Sequence, residues 1–80
     1  MIKLFKEVDK FELAKKIGRN IKRLRKERDI SQSELGMRCF KDKQAIEKIE
    51  NGKVNPTAYS LYQISVALNI DPVELWNFSC

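Results

Sequence analysis

The sequence predicts an all-α protein, a compact domain of five helices over residues 9–78 preceded by a short tail at 1–8. Three observations carry this. Apolar residues recur at intervals of three and four in successive windows: Ala14, Ile17, Ile21 and Leu24, then Ala45, Ile46 and Ile49, then Ala58, Leu61, Ile64 and Leu68. Helix-start signals precede these windows, with Asp9 before Glu12, Ser31 before Glu34, and Asp71-Pro72-Val73-Glu74. Eighty residues form one small domain, near the lower range where a core alone suffices, and helices fill such a volume economically.

The tail is the least readable part. Ile2, Leu4 and Val8 could fold against the domain, extend the next helix or meet a second subunit, while Lys3 and Lys6 would suit a phosphate-tracking arm. The simplest reading is a partly ordered tail. Asp9 and Glu12 start the first helix, whose buried stripe is Ala14, Ile17, Ile21 and Leu24, with Phe11 and Leu13 near its edge. Its opposite face carries Lys15, Lys16, Arg19, Lys22, Arg23 and Lys26. The helix should end around Arg28 and Asp29, with Ile30 turned inward.

Residues 31–52, SQSELGMRCFKDKQAIEKIENG, read as two short helices in close succession. Ser31 and Glu34 form the capping box of the second helix, Leu35 anchors it in the core, and Gly36 would let the two helices cross closely. Cys39 reads as a small buried hydrophobe, with no His nearby to stabilise a reactive thiolate. Asp42 caps the third helix, and Asn51-Gly52 ends it, Gly52 supplying a positive φ. Lys43, Gln44, Glu47 and Lys48 project opposite the apolar stripe. Such a face suits base edges in the DNA major groove, where Gln pairs with adenine and Lys with guanine.

Asn55-Pro56-Thr57 starts the fourth helix, with Ala58, Leu61, Ile64, Ser65 and Leu68 inward. Ser65 is placed to return its hydroxyl to the preceding turn. Tyr59, Tyr62 and Val66 form a second apolar stripe on that helix. The fifth helix would begin at Asp71 and supply Val73, Leu75 and Trp76, followed by Phe78. Together Tyr59, Tyr62, Val66, Trp76 and Phe78 are more apolar surface than a small monomer leaves open. They either close the lower edge of the core or form a two-fold dimer interface.

The formal charge of +5 and pI of about 9.4 favour a polyanionic partner. The charge is uneven: residues 15–28 hold eight Lys or Arg against one Glu, whereas residues 31–52 hold four of each sign. Phosphate attraction therefore has to come mainly from the neighbours of the polar helix face. Two cysteines far apart and no histidine argue against a disulfide framework, a zinc site and His-based catalysis, so no metal and no cofactor are expected. An enzyme is not expected either, with neither such a constellation nor a phosphate-cradling Gly loop. No apolar run approaches the ~20 residues that span a bilayer, which points to no membrane partner and a cytoplasmic location.

The pattern SQ-x-EL followed by AIEKIENG resembles the signature of the Cro and phage-repressor-like helix-turn-helix regulators, the xenobiotic-response-element type. The likeness runs over about residues 17–76, including IKRLRKERDIS before the motif and NPTAYSLYQISVALNI after it. The resemblance implies a lambda-repressor-like DNA-binding domain with the helix-turn-helix as helices two and three. It places base reading at Lys43 and Gln44, then Glu47 and Lys48, and backbone contacts at Gln32, Asn51 and Lys53; among the basic face of the first helix, Arg19 is assigned to phosphate. It also implies an ion pair of Arg25 with Glu50, clamping the first helix to the third.

Phe40 departs from the family, which usually has glycine at that turn, and Lys41 stands for a usual apolar residue. A turn of different shape, with Phe40 directed into the core, is one way to accommodate them. The expected function is a sequence-specific regulator of double-stranded DNA, a repressor on a palindromic operator as a homodimer. The alternative is a protein-interaction module or antitoxin of the same fold with weak or no DNA binding.

Overall fold

Asp9, Ser31, Asp42 and Thr57 each turn their side-chain oxygen onto the backbone N–H three residues ahead, which satisfies a donor that a new helix cannot pair internally. In the computed structural model, which describes residues 8–78, these caps open four α-helices: α1 (Lys10–Glu27), α2 (Gln32–Arg38), α3 (Lys43–Glu50) and α4 (Ala58–Leu68). Asp71 opens a 3-10 helix over Pro72–Trp76. The described chain is thus all-helical. The expectations for Ile2, Lys3, Leu4 and Lys6 lie outside the described residues.

The fifth helix expected from the sequence is a correction: it is a 3-10 segment of five residues. Its bonds run back three positions, Glu74 N–H to the Asp71 carbonyl at 2.9 Å and Asn77 N–H to that of Glu74 at 3.3 Å. A residue on α1 contributes to this. The Asn20 amide donates to the carbonyls of Glu74 (2.8 Å) and Leu75 (3.0 Å), acceptors that a continuing α-helix would use itself.

The termini of the α-helices share a second device. Each is followed by a left-handed residue, Asp29, Phe40, Gly52 and Asn69 in turn, and the residue after that donates back to the helix. Only one of the four is glycine. Phe40 adopts φ +59° and is 90% exposed, so the expected inward rotation does not occur: the turn keeps a glycine-like backbone and the ring is left outside. Lys41 N–H closes the turn onto the Gly36 carbonyl at 2.8 Å. Left-handed backbone costs a residue with a Cβ about 1–2 kcal/mol, more than the extra unfolded-state entropy of glycine, about 0.5–1 kcal/mol. Phe40→Gly is therefore expected to raise stability by about 0.5–1 kcal/mol; urea denaturation with an unchanged m-value checks this.

Ile17, Ile21 and Leu24 from α1 meet Leu35, Ile46, Ile49, Leu61, Ile64, Leu68 and Leu75 in one core, with Ile30 and Cys39 closing it between helices. Burial pushes the Cys39 thiol up from its ordinary value, and its Sγ bonds the Leu35 carbonyl at 3.1 Å. Ser65 is fully buried and donates to the Tyr62 carbonyl at 2.7 Å. Two expected core residues are outside. Ala58 is exposed because, as the first residue of α4, it sits above the turn that the Thr57 cap turns to solvent, and Val73 on the 3-10 helix is 69% exposed. Ala45 is half-buried.

Candidate nucleic-acid interface

The outward face of α3 follows from its burial pattern. Ile46 and Ile49 are held in the core, so Lys43, Gln44 and Lys48 are exposed on the opposite side. The Asp42 carboxylate accepts from Ala45 N–H at 2.7 Å, which leaves Lys43 and Gln44 on the first turn of the helix. α2 crosses close behind, and Gly36 permits it. A Cβ at this position would lie 2.5 Å from the Lys41 carbonyl oxygen and 3.2 Å from the Asp42 backbone, both immediately before α3.

Glu50 locks the far end of α3. Its Oε2 accepts from Arg25 Nε at 2.6 Å and its Oε1 from Arg25 Nη2 at 3.0 Å, a two-pronged contact with the carboxylate side chain 1% exposed. A third Arg25 nitrogen, Nη1, donates to the Ile30 carbonyl at 2.8 Å. Gln32 Nε2 also donates to Glu50 Oε1, at 3.0 Å. Gln32 thus joins α2 to the same carboxylate that joins α1 to α3. Its amide is part of the lock, and this is the geometry any backbone contact by Gln32 has to share.

Glu47 is half-buried and stands apart from the other three residues of its set. Its Oε1 accepts from Asn51 Nδ2 at 3.2 Å and from Lys53 Nζ at 3.3 Å. Three of the sequence-selected residues therefore form one small network at the exit of α3. Being largely in water, the Glu47 and Lys53 pair contributes little to stability, about 0–1 kcal/mol. It does place a lysine beside the one acidic side chain on this face. Arg19 is exposed on α1, its Nε 3.4 Å from the Lys15 carbonyl, and it lines an open cleft of about 460 Å³ with Lys15, Glu50 and Asn51.

The apolar set divides. Tyr59 (69% exposed), Tyr62 (55%) and Val66 (60%) line a shallow cleft beside Phe40, and Tyr62 also flanks a cavity of about 350 Å³ opposite Trp76. Phe78 lies elsewhere. It is half-buried against the core and lines a cleft with Asn20 and Arg23 on the α1 side.

Sequence reading missed Gly18 and Asn20. Both are buried on α1, Gly18 against the last carbonyls of α3 and Asn20 under the 3-10 helix. A signal was present: each interrupts the apolar stripe of Ala14, Ile17, Ile21 and Leu24 with a residue poor at forming helix.

Two short helices joined by a tight turn, the second presenting a polar first turn, define a helix-turn-helix domain. A helix-turn-helix family model matches residues 21–75, and the chain belongs to this family, in its Cro/C1-like branch. The family is one of DNA-binding regulators. The chain is 36% identical over 64 residues to the uncharacterized HTH-type transcriptional regulator y4dJ of Sinorhizobium fredii, covering 80% of this chain and 83% of that one. It is 36% identical over 63 residues to the control protein C.MunI of a Mycoplasma species, covering 78% and 85%. The crystal structure of the restriction-modification controller protein C.AhdI from Aeromonas hydrophila superposes with a TM-score of 0.78 at 26% identity, covering 80% and 97%. None of the described helices is long and apolar enough to cross a membrane.

Proposed function

We propose that this protein is a sequence-specific, double-stranded DNA-binding transcriptional regulator that represses by occupying a palindromic operator as a homodimer. The observation that carries this reading is the first turn of α3. Lys43 and Gln44 are exposed there at the N-terminal end of a helix whose far end is clamped by Arg25 and Glu50. A rigid helix whose first turn carries a cation and an amide matches what base edges require.

Lys43, Gln44 and Lys48 read bases. Glu47 acts at the margin of that set, since its carboxylate is shared with Asn51 and Lys53. Arg19, Gln32, Asn51 and Lys53 contact phosphates, and Gln32 also steadies the reader through Glu50. In the dimer, Tyr59, Tyr62, Val66 and Trp76 are covered by the second copy, while Phe78, half-buried on the α1 side, stays outside that surface. Two reading helices then meet major-groove faces about 34–36 Å apart, one turn of the duplex. The likeness to the control protein C.MunI and to the restriction-modification controller protein C.AhdI supports the reading of a small regulator.

Selection from a random duplex pool, with wild type beside a Lys43→Ala, Gln44→Ala double variant, tests the reading. A palindrome enriched by wild type and lost by the variant is the expected result. If folded wild type enriches no sequence, the DNA reading fails. The exposed Phe40 and Tyr59 cleft then becomes the surface to examine for a protein partner.

A further inference from the structure

Of the eight Lys and Arg in residues 15–28, several have fixed partners within the fold. Arg25 is bound to Glu50, Arg23 to Glu27 and the Asn20 amide, and Arg28 to the carbonyls of Leu24 and Leu68. Lys15 and Arg19 differ. They lie one turn apart on the same side of α1, both exposed, and neither pairs with a carboxylate among the described residues.

Their position is set by the exit of α3. Gly52, at φ +69°, lets the chain turn directly beneath α1, where an added Cβ would lie 2.6 Å from Lys15 Cγ and 2.8 Å from Lys15 Cα. Lys15 and Arg19 thereby form one wall of an open cleft of about 460 Å³ whose other wall is Glu50 and Asn51. The Glu50 charge is already taken up by Arg25 and by Gln32, so the field of the cleft belongs to the two cations. This half of α1 also lies before the stretch of chain that matches the family model, residues 21–75.

We propose that Lys15 and Arg19 hold the backbone of duplex DNA beyond the half-site read by α3. The inference rests on the DNA-binding reading above and extends its surface by a strand segment flanking the operator. The occupant is a polymer rather than a free anion. The cleft is open and its two cations are on flexible stems, so each contributes little alone, whereas a strand already docked at Asn51 and Lys53 would be carried past both.

The experiment compares wild type, a Lys15→Gln, Arg19→Gln double variant and a Lys26→Gln control at the other end of α1. Each is titrated with the operator selected by wild type, in a long duplex and in one trimmed to the contacted bases. The double variant should lower the salt slope of log K by about 1.8 for each bound subunit, at roughly 0.9 per lost phosphate contact. Wild type and the Lys26 control should bind the long duplex more tightly than the trimmed one, while the double variant should not distinguish them. An unchanged slope, an equal response to trimming in wild type and double variant, or an equal loss in the Lys26 control overturns the proposal. A slope change without any length effect also overturns it, since that is the behaviour of a free-anion site. Should wild type bind no duplex, the DNA-binding reading itself has failed, which is a different outcome from binding that is indifferent to Lys15 and Arg19.

Discussion

Replacing Glu50 with alanine is expected to lower stability by about 3–5 kcal/mol, because it leaves a buried guanidinium without its counter-charge. Arg25 would keep only the Ile30 carbonyl of the partners its side chain now has, and Gln32 would lose its acceptor on α3. Domains of this kind are stable by roughly 5–15 kcal/mol in all, so this one change consumes a large part of the total. The contrast with the Lys53 and Glu47 pair is one of solvent. That pair has side chains 59% and 43% exposed, against 9% and 1% for Arg25 and Glu50.

Urea unfolding followed at Trp76, the single tryptophan, measures the loss. A loss below 1 kcal/mol, the range of exposed pairs, would mean that water screens this contact after all. Converting both partners, Arg25→Met with Glu50→Leu, should cost less than Glu50→Ala alone, since no charge remains buried. It should still fall short of wild type. The Ile30 carbonyl loses its donor, a penalty of about 1–3 kcal/mol for a buried acceptor left unpaired.

What could be read from the sequence was local. Asp9, Ser31 and Asp42 act on residues three ahead, so their roles as caps follow from spacing, and the left-handed Gly52 follows from residue type. The contact of Arg25 with Glu50 is of another kind. Twenty-five positions separate them, and only the family resemblance, not any periodicity, pointed to the pair. Phe40 misled for a physical reason: side-chain hydrophobicity argued for burial, but the backbone of the turn decides where the Cβ points, and here it points to water. Ala58 was placed inward by its interval from Leu61, yet on the first turn of a helix the apolar stripe has no partner above it. The 3-10 geometry of Pro72–Trp76 depends on Asn20, 54 residues from Glu74, and lay beyond any window of sequence.

Gly18 is where that limit has the largest consequence for function. On an exposed helix, Gly→Ala stabilises by about 0.5–1 kcal/mol through lower backbone entropy in the unfolded chain. At Gly18 the sign should invert. A Cβ there would be 2.6 Å from the Glu50 carbonyl oxygen, 2.9 Å from its carbon, and in hard contact with the Ile49 oxygen, all of them main-chain atoms that cannot rotate aside. Overpacking of this kind costs about 1–3 kcal/mol, and with rigid neighbours the upper end applies, so Gly18→Ala should lose roughly 2 kcal/mol net. The strain can be relieved only by moving α1 away from the end of α3, which lengthens the Arg25 contact to Glu50 and re-aims Lys43 and Gln44. Operator affinity should accordingly fall about ten-fold or more at temperatures where the variant is still folded, an effect of helix placement and not of unfolding. Urea denaturation and duplex titration on the same sample separate the two losses. If Gly18→Ala instead proved more stable than wild type and bound equally well, α1 and α3 would have to sit further apart in solution, and the account of how α3 is held would fail with it.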